Sequence, residues 1–520
     1  MRGQKNSDIE AGLESAPEQK TPWIFRIRTE HLWRAVPFLL VTWISSPNVL
    51  PALDFWWHLK AGEIILQTRS IPTTDLFSYT QAGKPFVLQN WLAEVVLYGA
   101  YRAGGPALLV FFNTLVLLLT LVPVYLLCSR RAQGLFATVL TSSLAAISLA
   151  CIGNVRPQVF SFLLFAWFYY VLAEYYERQR DYLWVLPVMM ALWVNLHGAF
   201  VLGIALFLFM IVVDSAKSLF GRSAERAVPG KIKPVLILAL TLAATLCNPQ
   251  FAAIYGYVAE VASDPISQRH VIEWQPPEVS NIGDILRFFG PFLLGIVILI
   301  RSKTRPRLSD LVLFMALAIF ALTARRNAVW FALAVAPILA GHFELRSRPR
   351  LQLQSRLLPA LNLLVAAVWL ITTAYTLPWY RQLGNQQGSD LVLLDPRLPV
   401  HAVDFIAERR LEGRIFHPQH YGDYLVWRLW PEHRVFFDGR VHLFPKEVAE
   451  EYLDLMGGCA NWQAAMDRYQ IRFLLLDRKE KAQQRFLKNV EESAGWELLY
   501  KDERSVLYGR AREGSALDPS

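Results

Sequence analysis

The sequence predicts a polytopic α-helical membrane protein with about 11 transmembrane helices and a C-terminal extracytoplasmic mixed α/β domain. Three observations carry this. Apolar residues make up 54% of the 520-residue chain against 18% charged, and they fall in long blocks with no alternation. The Lys and Arg excess, net +9, is spread over the loops of one side and forms no single patch, which argues against a nucleic-acid partner. From about Leu398 the composition becomes that of a soluble domain.

Residues 1–32 read as a disordered basic cytoplasmic tail, rich in Glu, Gln, Ser and Pro up to Thr21 and carrying Lys20, Arg26 and Arg28. The first span, 35–50, has no small-residue cleavage site after it and reads as a retained anchor. A first external loop, 51–104, follows. It contains a short amphipathic helix over 54–67, a turn at Ile71-Pro72, an extended piece at 77–80 and an interfacial helix at 91–101. Counting that last helix as a span would push most basic loops outside, so it is kept at the interface. Further spans are expected at 106–127, 135–152, 159–175, 182–196, 200–213, 235–247, 285–300, 308–323, 328–343 and 357–377. With the amino terminus inside, Arg130-Arg131, Arg178 with Arg180, 217–233, 301–307 and 346–356 all become cytoplasmic. The transmembrane part is thus 33–378.

The extracytoplasmic domain is expected over 379–510, with a disordered tail at 511–520. Its pattern reads as helix 401–412, strand 414–416, helix 421–429, strand 434–437, helices 448–456 and 462–469, strand 471–476, and a final pair of strands at 496–501 and 505–508. Cys128, Cys151, Cys247 and Cys459 are scattered, without the spacing of a disulfide framework or a zinc site.

On this topology the polar residues gather at the outer ends of the spans. They are Asp54, His58, Asp75 and Glu94 in the first loop, then Arg156, Gln158, Asn195, His197, Asn248, Glu273, Arg325 and Arg326. Several spans are short: about 14 apolar residues at ~1.5 Å rise cover roughly 21 Å of a ~30 Å hydrocarbon layer. Their flanking arginines then sit below the lipid surface, where they need a polar surrounding or an anionic partner. Asp54 and His58, four apart on a helix, share a face and could bond each other or hold a common ligand; the plain alternative is that Asp54 only caps the helix. For Asp75 the plain alternative is a turn residue after Pro72. Outer-face Arg325 and Arg326 run against the positive-inside trend, and a lipid phosphate would account for them, since guanidinium binds phosphate through paired hydrogen bonds. Headgroup snorkelling is the other reading, and Arg156 and His197 at the same level favour a phosphate site. In the C-terminal part His417, His420, Asp423 and Asp438-Gly439-Arg440 invite a site, but Asp-Gly is ordinary turn chemistry and the structural reading is the stronger one.

The stretch DFWWHLKAGEIILQTRSIPTTDLFSYTQAGKPFVLQNWLAEVVLYG resembles the first external loop of bacterial GT-C superfamily glycosyltransferases, relatives of the protein mannosyltransferases and the aminoarabinose transferase. VRPQ at 155–158, NLHG at 195–198, EWQPP at 273–277 and RRNAVWF at 325–331 are similar to further stretches of that group. The resemblance implies an integral-membrane enzyme that moves a sugar from a polyprenyl-phosphate carrier to a lipid, polysaccharide or protein acceptor on the outer side. It also implies that the acid opening the first loop, here Asp54, is central. Protein mannosyltransferases carry an Asp-Glu pair where Asp54-Phe55 stands, and that departure argues against protein mannosylation.

The expected mechanism makes Asp54 the general base, with His58, Asp75 and Glu94 completing a catalytic group. Arg156, His197, Arg325 and Arg326 would take the donor phosphate, and Gln158, Asn195, Asn248 and Glu273 the substrate. No metal ligands and no cofactor are assigned, although Asp75 or Glu94 could position a divalent cation. The rival readings are a transporter or flippase for an anionic lipid or sugar phosphate, and a non-catalytic membrane scaffold. The lack of an internal repeat and the one-sided polar groups weigh against alternating access.

Overall fold

The structure is a computed structural model and describes residues 27–219, 232–344, 358–384 and 390–511. The tails 1–26 and 512–520 and much of two basic loops, 220–231 and 345–357, lie outside these residues. Among the described residues fifteen α-helices precede the C-terminal part: α1 (Thr29–Ser45), α2 (Phe55–Thr68), α3 (Trp91–Arg131), α4 (Leu135–Ile152), α5 (Gln158–Arg178), α6 (Val185–Leu196), α7 (Phe200–Leu219), α8 (Ile232–Ala244), α9 (Ala253–Ser263), α10 (Pro265–His270), α11 (Ile282–Asp284), α12 (Gly290–Arg301), α13 (Leu308–Thr323), α14 (Ala328–His342) and α15 (Leu358–Thr376). A π-turn, Ile285–Phe289, joins α11 to α12. α1 begins at Thr29, inside the segment expected to be a disordered tail.

Every expected span falls on a helix. Five helical runs are long and apolar enough to cross a bilayer: 91–131, 135–152, 158–178, 282–301 and 359–376. Four shorter apolar helices occupy 185–196, 200–216, 232–244 and 308–323. α3 joins the expected interfacial helix to the following span across a kink. Gly104 and Gly105 leave helical geometry, Gly105 at φ +61°, ψ −157°, a region open only to glycine, and Pro106 starts the next turn, where its missing N–H costs nothing. α14 is apolar all round and buried at every position from Ala328 to Ala340, as a central helix must be. α15 is the opposite case: Leu364 (60% exposed) and Leu370 (72%) present an apolar face suited to lipid.

The basic ends of the helices converge at one end of the bundle, where Arg130 pairs with Glu174, Arg131 with Glu177, and Lys233 with Asp181. The turns after α1, α4 and α13 meet at the opposite end, beside the C-terminal part.

That part contains α16 (Pro378–Leu383), α17 (Val400–Glu408), α18 (Gln419–Leu429), α19 (Lys446–Met456), α20 (Trp462–Arg468) and α21 (Gln484–Glu491). Its mixed sheet has the order β1-β2-β4-β3, from β1 (Arg414–Phe416), β2 (Ile471–Asp477), β3 (Trp496–Lys501) and β4 (Ser505–Arg510). β1 runs parallel to β2, and β4 is antiparallel to both β2 and β3. The expected strand 434–437 is not in this sheet. Val435 instead bridges Ser78 of the first loop, its N–H donating to Phe77 O (2.9 Å) while Tyr79 N–H donates to Val435 O (3.0 Å). Two short extended pieces, each too short to form a strand alone, satisfy one another across the two parts of the chain. The apolar core is likewise shared: Phe55, Trp56 and Leu59 of α2 belong to the same buried cluster as Tyr421, Tyr424 and Leu425 of α18, and Trp56 meets Tyr424 edge to face at 5.1 Å.

Candidate active site

Asp54 stands between α1 and α2 with φ +60° and ψ −39°, outside the helical and extended regions. Phe55 N–H donates back to Leu53 O at 2.7 Å, so Asp54 is the centre of a tight γ-turn. Holding a non-glycine residue there costs on the order of 1–3 kcal/mol, a strain tolerated where the surroundings over-determine it. The turn frees the side chain from capping. Asp54 makes no cap hydrogen bond to α2; its Oδ2 accepts from Arg156 Nη1 at 3.0 Å. Burial pushes the carboxyl up to about 6, with Arg156 opposing and Glu273 reinforcing the rise.

Arg156 lies in the link between α4 and α5, where Pro157 keeps the chain from running on as one helix. Its other nitrogen, Nη2, donates to Glu273 Oε2 at 2.5 Å, and Nε is buried without a partner among the described residues. Glu273, on a single 3-10 turn (Ile272–Trp274), reaches toward Arg326 Nη1 at 3.9 Å with its second oxygen. Arg326 itself lies over the Trp274 ring, 4.2 Å from its centroid. The result is a chain of alternating charge, Asp54, Arg156, Glu273, Arg326, assembled from four separate segments. Burial raises Glu273, but Arg156 and Arg326 more than offset this and hold it below the usual range. Burial lowers Arg326, with Arg156 adding to it and Glu273 opposing.

His197 adjoins this chain. Its Nδ1 receives the Ala199 N–H (3.3 Å), and Ser161 Oγ, which already accepts from Trp193 Nε1 (2.7 Å), turns its own proton to Nδ1 (3.0 Å). Nδ1 is therefore the acceptor, and Nε2 carries the ring proton. Burial, then Arg326 and Arg156, bring the ring down to about 3, so it is a neutral donor.

The other expected site residues separate from this group. His58 does not bond Asp54; its Nδ1 faces Glu94 Oε1 at 2.8 Å, and burial with nearby Arg156 keeps the ring neutral. Glu94 is fully buried between α2 and α3, its second oxygen without a partner among the described residues. Asp75 is 1% exposed, and its oxygens accept from Phe77 N–H, Ser78 N–H, Ser78 Oγ and Arg440 Nη1. Arg325 pairs with Asp284 (2.9 Å) and Glu278 (3.1 Å), turned away from Arg326. Gln158 donates to Ile152 O. Asn195 joins Ala191 O and Cys247 O to Trp91 Nε1, and Asn248 closes its own turn onto Thr245 O, Phe251 O and Gln250 N–H. The carboxylate of Asp75 and the three amides of Gln158, Asn195 and Asn248 thus bond within the fold. Among the described residues no group of three or more His, Cys, Asp or Glu is placed to hold a metal ion.

The C-terminal part supplies neighbours for which the sequence pattern favours a structural reading over a site. Asp423 on α18 accepts the Asp54 N–H through Oδ2 (2.8 Å) and the Gly439 N–H through Oδ1 (2.9 Å). Arg440, 1% exposed, ties Asp438 to Asp75 and lies 5.0 Å from the centroids of Phe77 and Phe86.

Neither a family profile nor a curated protein matches the chain by sequence. Solved structures do match. The fold is shared with ArnT. ArnT from Cupriavidus metallidurans bound to undecaprenyl phosphate aligns with TM-score 0.52 at 12% identity, covering 93% of this chain and 98% of that one. Apo ArnT from the same organism aligns with TM-score 0.52 at 14% identity, covering 92% and 97%. The apo oligosaccharyltransferase of Archaeoglobus fulgidus gives TM-score 0.46 at 13% identity over 94% of this chain and 75% of its own.

Proposed function

We propose that this protein is a multi-pass plasma-membrane glycosyltransferase that transfers a sugar from a polyprenyl-phosphate donor to an acceptor hydroxyl on the extracytoplasmic side. The observation that carries the reading is the contact of Asp54 with Arg156, which places a carboxylate with an affinity for protons near neutrality beside a fixed cation. A general base needs the first and a leaving phosphate the second. A membrane glycosyltransferase fold shared with a protein solved with undecaprenyl phosphate bound supports the donor class.

In the step we infer, Asp54 takes the acceptor hydroxyl proton and the acceptor oxygen bonds to the anomeric carbon. The bond from that carbon to the phosphate oxygen breaks, its electron pair leaving with the phosphate toward Arg156 and Arg326, with His197 Nε2–H as a neutral donor. Glu273 holds the two arginines in register before the donor arrives. A bound phosphate competes with Asp54 for Arg156, and each loosening of that ion pair makes Asp54 a stronger base.

The test is transfer or release of labelled sugar from polyprenyl-phosphate sugars by the purified protein in lipid, with Asp54→Asn alongside. Turnover that needs Asp54 supports the reading and names the donor; undiminished turnover in Asp54→Asn removes the base assignment.

A further inference from the structure

We propose that Asp423, from the C-terminal part, is a positioning residue of the active site: its two carboxylate oxygens lock the Asp54 and Gly439 backbone together and so aim the Asp54 carboxylate. The inference rests on the glycosyltransferase reading and gives the C-terminal part a role in the reaction itself.

Asp423 is fully buried and commits one oxygen to each of two backbone N–H groups, Asp54 at 2.8 Å and Gly439 at 2.9 Å. The first is the amide of the residue at the centre of the γ-turn, so a side chain 369 positions away in sequence supports the one backbone conformation that keeps Asp54 off its helix cap. Gly439 completes the fit. A Cβ built on it would stand 2.2 Å from Asp54 Oδ1 and 2.9 Å from Asp423 Oδ2, so the Asp54 carboxylate packs directly on a surface that only glycine leaves open. The same two distances put those oxygens no more than about 5 Å apart. Burial first, then the charges of Asp438 and Asp54, push the Asp423 carboxyl well above the usual range, with the Gly439 and Asp54 N–H groups opposing. Arg156 faces Asp54 from the bundle side, Glu273 stands behind it, and Arg440 neutralises Asp438.

The test is full kinetics on Asp423→Asn in the intact protein with a polyprenyl-phosphate sugar that the wild type turns over, plus undecaprenyl phosphate binding as a check on folding. Asparagine keeps the size and one acceptor but loses one of the two backbone bonds. The expected result is kcat down roughly 10- to 100-fold, with KM for the donor nearly unchanged. Wild-type kcat in Asp423→Asn overturns the proposal while leaving the glycosyltransferase reading intact. A wild type that turns over no donor overturns both. If Asp423→Asn does not bind the lipid, Gly439→Ala decides: retained lipid binding with lost turnover supports positioning, whereas loss of both makes the contact purely structural and overturns it.

Discussion

Asp54 is half-buried, which pushes its carboxyl up to about 6, and it is close enough to Arg156 to stay available as an anion near neutrality. A base must be deprotonated to act, so kcat/KM should rise with pH through about 6 and level off above it, and a pH–rate profile of the purified enzyme in lipid checks this. In Asp54→Asn the limb should vanish along with roughly a hundred- to ten-thousand-fold of the rate. The adjacent arginines should behave differently from one another. Arg325 is spent on Asp284 and Glu278, and Asp284 is 2% exposed. Arg325→Ala should therefore lower stability by about 1–3 kcal/mol, read as a lower Tm in detergent. Arg326, held by Glu273 only at 3.9 Å, should lose donor-phosphate affinity on replacement by Ala and keep its Tm; equal loss of Tm in both variants would contradict the division. Sequence spacing places residues at helix ends but does not say where a side chain points. That is why Asp54, Arg156, His197 and Arg326 were legible together, while Gln158, Asn195 and Asn248, equally polar and at the same level, turn inward to backbone carbonyls.

Between elements, the joint that matters is the first loop against the segment 435–440. Arg440 is enclosed by Asp75, Asp438 and three aromatic rings, Trp57, Phe77 and Phe86. Arg440→Ala leaves two buried carboxylates without their cation and should cost about 3–5 kcal/mol, seen as a fall in Tm and in the yield of folded protein. Asp75→Asn in the same background should recover part of the loss if the pair is the cause. Helix and strand periodicity made most elements readable: β1 and β3 fall where the pattern puts them, and α18 begins two residues early. The pattern at 434–437 is equally strand-like, yet its partner is Ser78, more than 350 residues upstream, instead of a ladder in the sheet. A single strand's pattern says that its backbone needs a partner and is silent on which. α21 escaped because its apolar residues, Phe486, Leu487 and Val490, are few and sit among Gln, Arg and Lys.

For the whole molecule, the shared core and the Asp423 bond join the part expected to lie in the membrane, 33–378, to the part expected to lie outside it, 379–510. The turns and links between the membrane helices contribute Asp54, Arg156, Glu273 and Arg326, and the C-terminal part contributes the acceptor for the Asp54 N–H, the glycine against its carboxylate and the cation that neutralises Asp75. Apolar packing runs continuously from α2 to α18 through Trp56, Tyr424 and Trp427, so parting the two would expose large aromatic faces at the polar end of the bundle. Deleting 398–520 should then do more than remove a lid: it should unpair Asp75, uncover α2 and release the γ-turn at Asp54. The expected outcome is a truncated protein with no sugar transfer and a lower Tm for the remaining helices. In the intact chain, thermal unfolding in detergent should show one transition, with near-ultraviolet signals from the tryptophans of both parts changing together. Two well-separated transitions, or a truncated protein that keeps its Tm and its turnover, would make the C-terminal part an independent appendage and break the connection drawn here between it and Asp54.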